Sequence, residues 1–540
     1  TRQAYIDRGR IGRELEQVMN NGRSDLSTLI DRNINDLSDS DALYHIGALI
    51  DAAHDAGSSA GTDHAFALLD ELTKRSPGGG NAALLHYFRA NAWENRRHQR
   101  KDHDPWAWEQ PEVQAQILEL RRAVRHEGFS QLHPVRQCQI LTNLANQFNS
   151  MGRFIEAIAL WDCVLKTDDR FAMAHGNRGI GLHSYANALY DPGHTGLMQV
   201  AAYDSLSAAT ATAAVYDSVG HEAARTHFEE LKEAISGHLD IDAVRQAVDL
   251  DGHSLGETAE ERAYRAWCLR ERLFINPLND LGPVPIAAQD VLTLPSLTVT
   301  GSSPGVPPVI GFFNQMKQEF VSGRYLYYEA LQSEGPHFSD RDVLLYNTLD
   351  YPAYSLSVER MRAAFRITYS LFDKIGFFLN AYLKIGRRLH DVSFRSVWYE
   401  RKGKKQDLLP RFAAHRNWPL RGLFWLSKDI FEDAFQRVTE PDAEDLAAIR
   451  NSLEHRYLQL HENLARAIVS EGAASDDRDG LVYALSRDEF AAKTLRLLQL
   501  VRSALIYLSL AVHREESATS NGGGLVVPML LDRWDDEWKQ

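Results

Sequence analysis

The stretch from Leu144 to Phe171, LANQFNSMGRFIEAIALWDCVLKTDDRF, constrains this chain more than any other. On either side of Gly152, large apolar residues (Leu144 and Phe148, then Phe154, Ile158 and Trp161) recur at the spacing of a helix with one buried stripe. Ala145 and Ala157 are small where two such helices must approach closely. Gly152 falls where the chain reverses, a place for the positive φ that glycine adopts most easily. The pattern predicts two antiparallel helices joined by a tight turn. Such a unit cannot bury its own apolar face, so further copies must stack beside it.

Other segments of the first half read as degenerate copies. Ala42–Ala53 with His64–Lys74 predicts one helix pair, and Asn81–Arg96 with Glu112–Arg125 another, interrupted by the polar insertion HQRKDHDPWAWEQP. After Ala172 the match weakens, although Gly179 falls near the small-residue position. Gly176, Gly179 and Gly181 sit in a predicted repeat helix rather than after a strand, so close helix packing explains them better than nucleotide binding. Thr210–Gly237 and Ile241–Val248 continue the helical pattern. The spacing of the clearest unit resembles a tetratricopeptide repeat, a helix–turn–helix of about 34 residues. This resemblance implies a helical solenoid over residues 1–250.

Residues 251–356 change character. Leu281–Gly311 is rich in Pro and Gly and predicts an extended connector, followed by one helix over Phe312–Gln332. Four long apolar-periodic segments then predict a helical bundle over 357–516: Val358–Ile385, Leu420–Val438, Asp442–Val469 and Arg487–His513. Thr439-Glu440-Pro441-Asp442 supplies a start signal for the third. Residues 517–540 form an acidic, aromatic tail. The fold class expected is all-α: a tetratricopeptide-like solenoid followed by a helical bundle.

Composition limits the function. The formal net charge of −14 argues against a surface that binds nucleic acid everywhere, so any RNA contact must come from a local basic patch. The connection Gly386–Pro419 is such a patch. Arg401, Lys402, Lys404, Lys405, Arg411 and Arg416 are its candidate phosphate contacts, with Trp398, Tyr399 and Trp418 as candidate stacking rings. A plain solvated loop is the alternative. No uninterrupted apolar run approaches the roughly 18 residues of a membrane span, and no apolar signal core opens the sequence. A cytoplasmic protein without membrane contact is expected. The three cysteines, Cys138, Cys163 and Cys268, form no paired motif. No metal site or cofactor is expected; His455 and His461 are poorly spaced for one ion.

Within the third bundle segment the sequence reads Arg450-Asn451-Ser452-Leu453-Glu454-His455. Arg and His separated by four residues, with a polar Asn after the Arg, resemble the signature of HEPN ribonucleases. The order of four helices and stretches such as FNQMKQEF, AFRITYSLFDKIGFFLN, RGLFWLSKDIFEDAF and KTLRLLQLVRSALIYLSLAV resemble the HEPN branch with N-terminal tetratricopeptide-like repeats. The resemblance covers most of the chain. It implies a metal-independent endoribonuclease that uses the RNA 2′-hydroxyl as nucleophile and leaves a 2′,3′-cyclic phosphate. Arg450 and His455 would be its catalytic pair, with Asn451 orienting a phosphate oxygen or the imidazole. It also implies a homodimer through the bundle and a toxin-like effector in anti-phage defence or stress. The repeats would then be a sensor or a platform for a protein or peptide.

The chemistry suits these residue types. Histidine moves protons near neutral pH, and arginine stays charged while hydrogen-bonding two phosphate oxygens. On a regular helix Arg450 and His455 stand about 140° apart, so two facing copies of the helix would be needed to surround a substrate. Bland readings stand beside this one. Arg450 and Glu454 are spaced for a surface ion pair, and His455 reads equally as an ordinary partly buried histidine. Asp373 and Lys374 in the first bundle segment either face the cleft or form a packing ion pair. The rival function is a non-catalytic adaptor that binds a protein or peptide through its repeats and dimerises through the bundle.

Overall fold

The structure, a computed structural model, describes residues 26–539 apart from 217–221, 299–305, 334, 348–350, 403–404, 433–434, 436–440, 463–481 and 520–530. At 401–402, 405–406 and 441–444 it describes the backbone alone. Helix accounts for 69% of it and strand for 4%, so the architecture is all-α.

The first half is a run of helices: α1 (Leu26–Asp31), α2 (Asp39–Asp55), α3 (Ser59–Lys74), α4 (Gly80–Gln99), α5 (Pro111–Arg125), α6 (Pro134–Ser150), α7 (Phe154–Thr167), α8 (Ala172–Ala186) and α9 (Pro192–Thr210). After them come α10 (Glu222–His238), α11 (Ile241–Ala247) and α12 (Ala259–Arg270). Local chemistry sets several boundaries. Ser38, Ser58 and Asp191 cap α2, α3 and α9 by accepting from backbone N–H groups, and proline opens α5, α6 and α9. The helices pack in successive pairs, α2 with α3, α4 with α5, α6 with α7 and α8 with α9, and each pair leans on the next. Gly152 makes the α6–α7 turn with φ of 86°. The glycines of α8 lie in close contacts: an added Cβ on Gly179 would stand 2.6 Å from Leu206, and one on Gly181 2.6 Å from Trp161.

The second half holds α13 (Pro308–Gln332), α14 (Leu356–Tyr382), strands β1 (Tyr399–Lys402) and β2 (Lys405–Leu408), α15 (Pro410–Ala413) and α16 (Trp418–Phe431). It continues through α17 (Pro441–His455), β3 (Tyr457–His461), β4 (Val482–Ser486) and α18 (Arg487–Thr519). Sequence reasoning placed the helix after residue 311 in the connector. In the structure α13 packs along α14, burying Phe313, Met316, Phe320 and Tyr327, and so joins the bundle's packing. The third bundle helix is also shorter than the sequence suggests. It ends at His455 rather than Val469, and the chain continues as β3, whose Leu458 and Leu460 are buried. β3 pairs in parallel with β4, and β1 pairs antiparallel with β2. Neither strand pair was expected. Thr439 and Glu440 of the predicted start signal lie outside the described residues.

α18 is long and apolar enough to cross a membrane by length and composition, but 83% of its most apolar window is buried inside the protein. It is the bundle's central helix, touching α13, α14, α16 and α17. Beyond it, the described part of the tail carries exposed Trp534 and Trp538, their rings 6.2 Å apart edge to face.

Helix array and bundle share one core. Buried residues from Leu29 to Val512 form a single cluster. At the seam Trp108 packs against Phe412, Phe424 and Trp398, with centroids 5.1, 5.5 and 6.1 Å away. Phe154 stacks on Trp418 at 4.4 Å and meets Tyr507 edge-on. Asp429 on α16 receives Arg121 through two hydrogen bonds of 3.1 and 2.8 Å and also pairs with Arg153. Gly152 and Gly422 let the two backbones touch: an added Cβ on either would lie 2.2 Å from a backbone oxygen of the other side.

Candidate functional site

The site is built on α17. Setting Arg450 at zero on a helical wheel, Glu454 follows at about 40°, Asn451 at about 100° and His455 at about 140°. All four are exposed. Ser452, Ile449, Leu453 and Leu446 occupy the opposite arc, from about 200° to about 320°, and all are buried. The sequence thus sorts α17 into an apolar face that holds it in the bundle and a polar face that carries the motif. The helix start is fixed by Asp445, which accepts from Tyr483 at 2.8 Å and pairs with Lys493 at 2.6 Å.

Two arginines of α14 hold the other end. Arg366 donates to the Leu453 carbonyl at 2.5 Å, and Arg362 donates to the Leu458 carbonyl at 2.7 Å. They clamp the backbone on both sides of His455. Sequence reasoning missed both. Their signal is the i, i+4 spacing of two arginines on one helix, which shows a shared face but not what that face meets.

Arg450 donates to the Asn451 side chain at 3.3 Å. The Glu454 carboxylate reaches Arg366 at 3.8 Å rather than Arg450. Arg450 lies instead in the field of Tyr369 and Asp373 on α14. Burial pushes the Tyr369 hydroxyl up to about 12, Asp373 adds to this, and Arg450 opposes it. Burial likewise raises the Asp373 carboxyl, opposed by the Phe394 backbone N–H and by Arg450. Lys374 turns the other way and pairs with Glu319 of α13 at 2.5 Å. Of the two α14 candidates, Asp373 accepts from the Phe394 backbone N–H within the field of Arg450, and Lys374 serves packing.

The basic connection behaves differently from its sequence reading. Arg401 and Lys402 stand on β1 and Lys405 on β2, with Lys402 opposite Lys405 in the register; Lys404 lies outside the described residues. Arg411 and Arg416 are exposed. They flank Phe412 and His415, which meet Trp108 at the seam through ring packing and through the His415 carbonyl. The rings named as stacking candidates are structural. Trp398 is fully buried and donates to the Phe394 carbonyl, Trp418 donates to the Asn149 carbonyl beneath Phe154, and Tyr399 packs on Phe424. The seam needs large apolar rings, and these supply them. His461 is buried in β3, away from the exposed face that carries His455.

Two cavities lie elsewhere. One of about 640 Å³ sits among α8, α9 and α10, lined by His183, Tyr190, Gln199 and Ile235. The other, of about 300 Å³, lies at the seam among Arg121, Phe148, Arg272 and Arg502. The motif itself is exposed: a permanent cation, an amide and an imidazole presented to solvent. Its groups can contact a phosphate and move a proton, but their 140° spread does not enclose a substrate from one side.

Residues 300–515 match the family model described as LA2681-like HEPN. The matched stretch spans α13 to α18 and contains Arg450, Asn451 and His455. It supports placing this part of the chain in the HEPN superfamily. No curated protein and no solved structure matches the chain.

Proposed function

We propose that the protein is a metal-independent RNA endonuclease whose site is the exposed face of α17. The observation that carries this is the sorting of that helix: Arg450, Asn451 and His455 all face solvent within a segment that matches an HEPN model. Residues kept for packing would be buried on the other arc. In this reading His455 exchanges protons with the attacking 2′-hydroxyl or the leaving 5′-oxygen. Arg450 hydrogen-bonds the phosphate as charge builds in the transition state, and Asn451 orients Arg450 or a phosphate oxygen. The products are a 2′,3′-cyclic phosphate and a 5′-hydroxyl end, and DNA is not cut.

The angular spread of Arg450 and His455 favours a site shared by two copies of α17, and hence a homodimer. The paired helices α2 to α9 act as a tetratricopeptide-like array that senses a trigger or binds a protein or peptide. The enzyme serves as a toxin-like effector in anti-phage defence or stress. A second reading, a non-catalytic adaptor, draws on the openness of the motif surface within one chain.

The deciding measurement is cleavage of a mixed RNA pool by the purified protein in EDTA, beside Arg450→Ala and His455→Ala. Cleavage that both substitutions abolish, with cyclic phosphate ends, supports the enzyme. No cleavage of any RNA by the unaltered protein supports the adaptor, and loss of activity only in EDTA points to a metal-dependent hydrolase.

A further inference from the structure

Beside the motif stands a group of tyrosines that packing does not explain. The segment 351–354 runs antiparallel to β3: Pro352 bridges His461, and the Ala353 N–H donates to the Leu460 carbonyl at 2.7 Å. His461 also pairs with Ser486 of β4, so segment 351–354 and β4 must flank β3 on opposite edges. In this register Tyr354 and Tyr457 are diagonal neighbours on one face, within reach of each other. Their hydroxyls are 2.5 Å apart. Tyr354 is nevertheless 44% exposed.

The position matters as much as the exposure. Tyr457 follows His455 by two residues, so their Cα atoms lie within about 7 Å. Exposed cations stand close by in the chain: Arg456 adjoins Tyr457, and Arg450 lies on the exposed face of α17. The nearby carboxylates Glu359, Glu454 and Glu462 are paired with Arg362, Arg366 and Arg487. Two rings joined through their hydroxyls, one exposed and one half-buried, with exposed arginines in the adjoining chain, match the chemistry that holds single-stranded nucleic acid: bases stack on aromatic faces while phosphates meet positive charge.

We propose that Tyr354 and Tyr457 form a stacking platform for unpaired bases of the RNA strand whose phosphate meets Arg450 and His455. The inference rests on the nuclease reading and makes it more specific. Duplex RNA keeps its base faces stacked inside the helix and cannot use such a platform, so the strand must be unpaired next to the cut. The hydroxyl contact positions the two rings rather than taking part in chemistry.

The test uses the full chain carrying His455→Ala, so that binding is read without cleavage. Fluorescence anisotropy measures its affinity for a short labelled single-stranded RNA and for the same strand in a duplex. Adding Tyr354→Ala or Tyr457→Ala should weaken single-strand binding about tenfold, the effect expected from losing one stacked base. Tyr354→Phe and Tyr457→Phe should keep most of the affinity, which separates lost stacking from a disturbed β3, and duplex binding should not change. Equal loss for both RNA forms, no loss for either, or loss of self-association in sedimentation with unchanged RNA affinity would overturn the platform. If the unaltered protein cleaves RNA while these variants bind normally, the platform falls and the nuclease reading stands. If it neither binds nor cleaves RNA, both fall.

Discussion

Two places in this molecule use arginine in opposite ways. At the seam between array and bundle, Arg121, Arg153 and Arg502 are buried, and each meets a carboxylate: Asp429 for the first two, Asp280 for the third. On α17, Arg450 is exposed and donates to the Asn451 side-chain amide one residue away. A buried charge must be paired, because an uncompensated one is costly, so the seam arginines are committed to structure. An exposed arginine carries no such obligation. The difference teaches that burial and pairing separate cations that hold the fold from cations that remain available to a phosphate.

That contrast can be broken by substitution. The largest effect on stability is expected for Gly152→Ala. The new methyl would stand 2.2 Å from the Trp418 carbonyl oxygen at a φ of 86°. A loss above about 4 kcal/mol is expected in denaturant unfolding, in the range reserved for severe core damage. Next comes Asp429→Ala, which removes the carboxylate that Arg121 and Arg153 share in the seam and leaves Arg153 with Glu156. It should cost about 3–5 kcal/mol in the same measurement.

A smaller change, of opposite sign, is expected at the edge of the motif. Burial raises the Asp373 carboxyl, so the folded protein holds that proton more tightly than the unfolded chain does. The stability this group contributes is therefore present at low pH and is lost as pH rises through its folded value. Asp373→Asn should raise the melting temperature at neutral pH, and the gain should vanish on acidification through the carboxylate range. A gain that persists at low pH would remove the electrostatic account.

The smallest stability effects should come from Arg450→Ala and His455→Ala, within about 0.5 kcal/mol, as at other exposed positions. Their RNA cleavage should nonetheless fall by about 100-fold or more if His455 transfers protons. Melting that drops by several kcal/mol would instead make the motif part of the fold and dissolve the contrast with the seam.

Much of the helical architecture was legible in the sequence, because apolar periodicity and glycine placement report local structure. Gly152 and the stripe around Phe154 and Trp161 marked the α6–α7 turn. The strand after α17 was not legible. Leu453, Tyr457 and Leu460 fit a continuing helix, while Leu458 and Leu460 fit a strand, and short apolar runs allow both. What decided it was β4, a partner more than twenty positions away in sequence. The motif residues themselves were readable, but their exposure was not. The same limit applied to Trp398 and Trp418: aromatic residues in a basic stretch look the same whether they await a base or fill a seam. Arg362, Arg366 and Tyr354 belong to this class too, since only the fold brings them to the chain around His455 and Tyr457.

The central place of α18 has a consequence for how the chain is made. Its Tyr507 meets Glu156 and the Ile155 backbone in the array, and its Arg502 meets Asp280. During synthesis the array emerges several hundred residues before these partners do. Its inner surface, with Phe154 and Glu156 prepared for Tyr507, must wait exposed until Arg487–Thr519 has cleared the ribosome. Folding of the two halves is thereby tied to completion of that helix, and a nascent chain stalled before it would present an unfilled seam rather than a closed core.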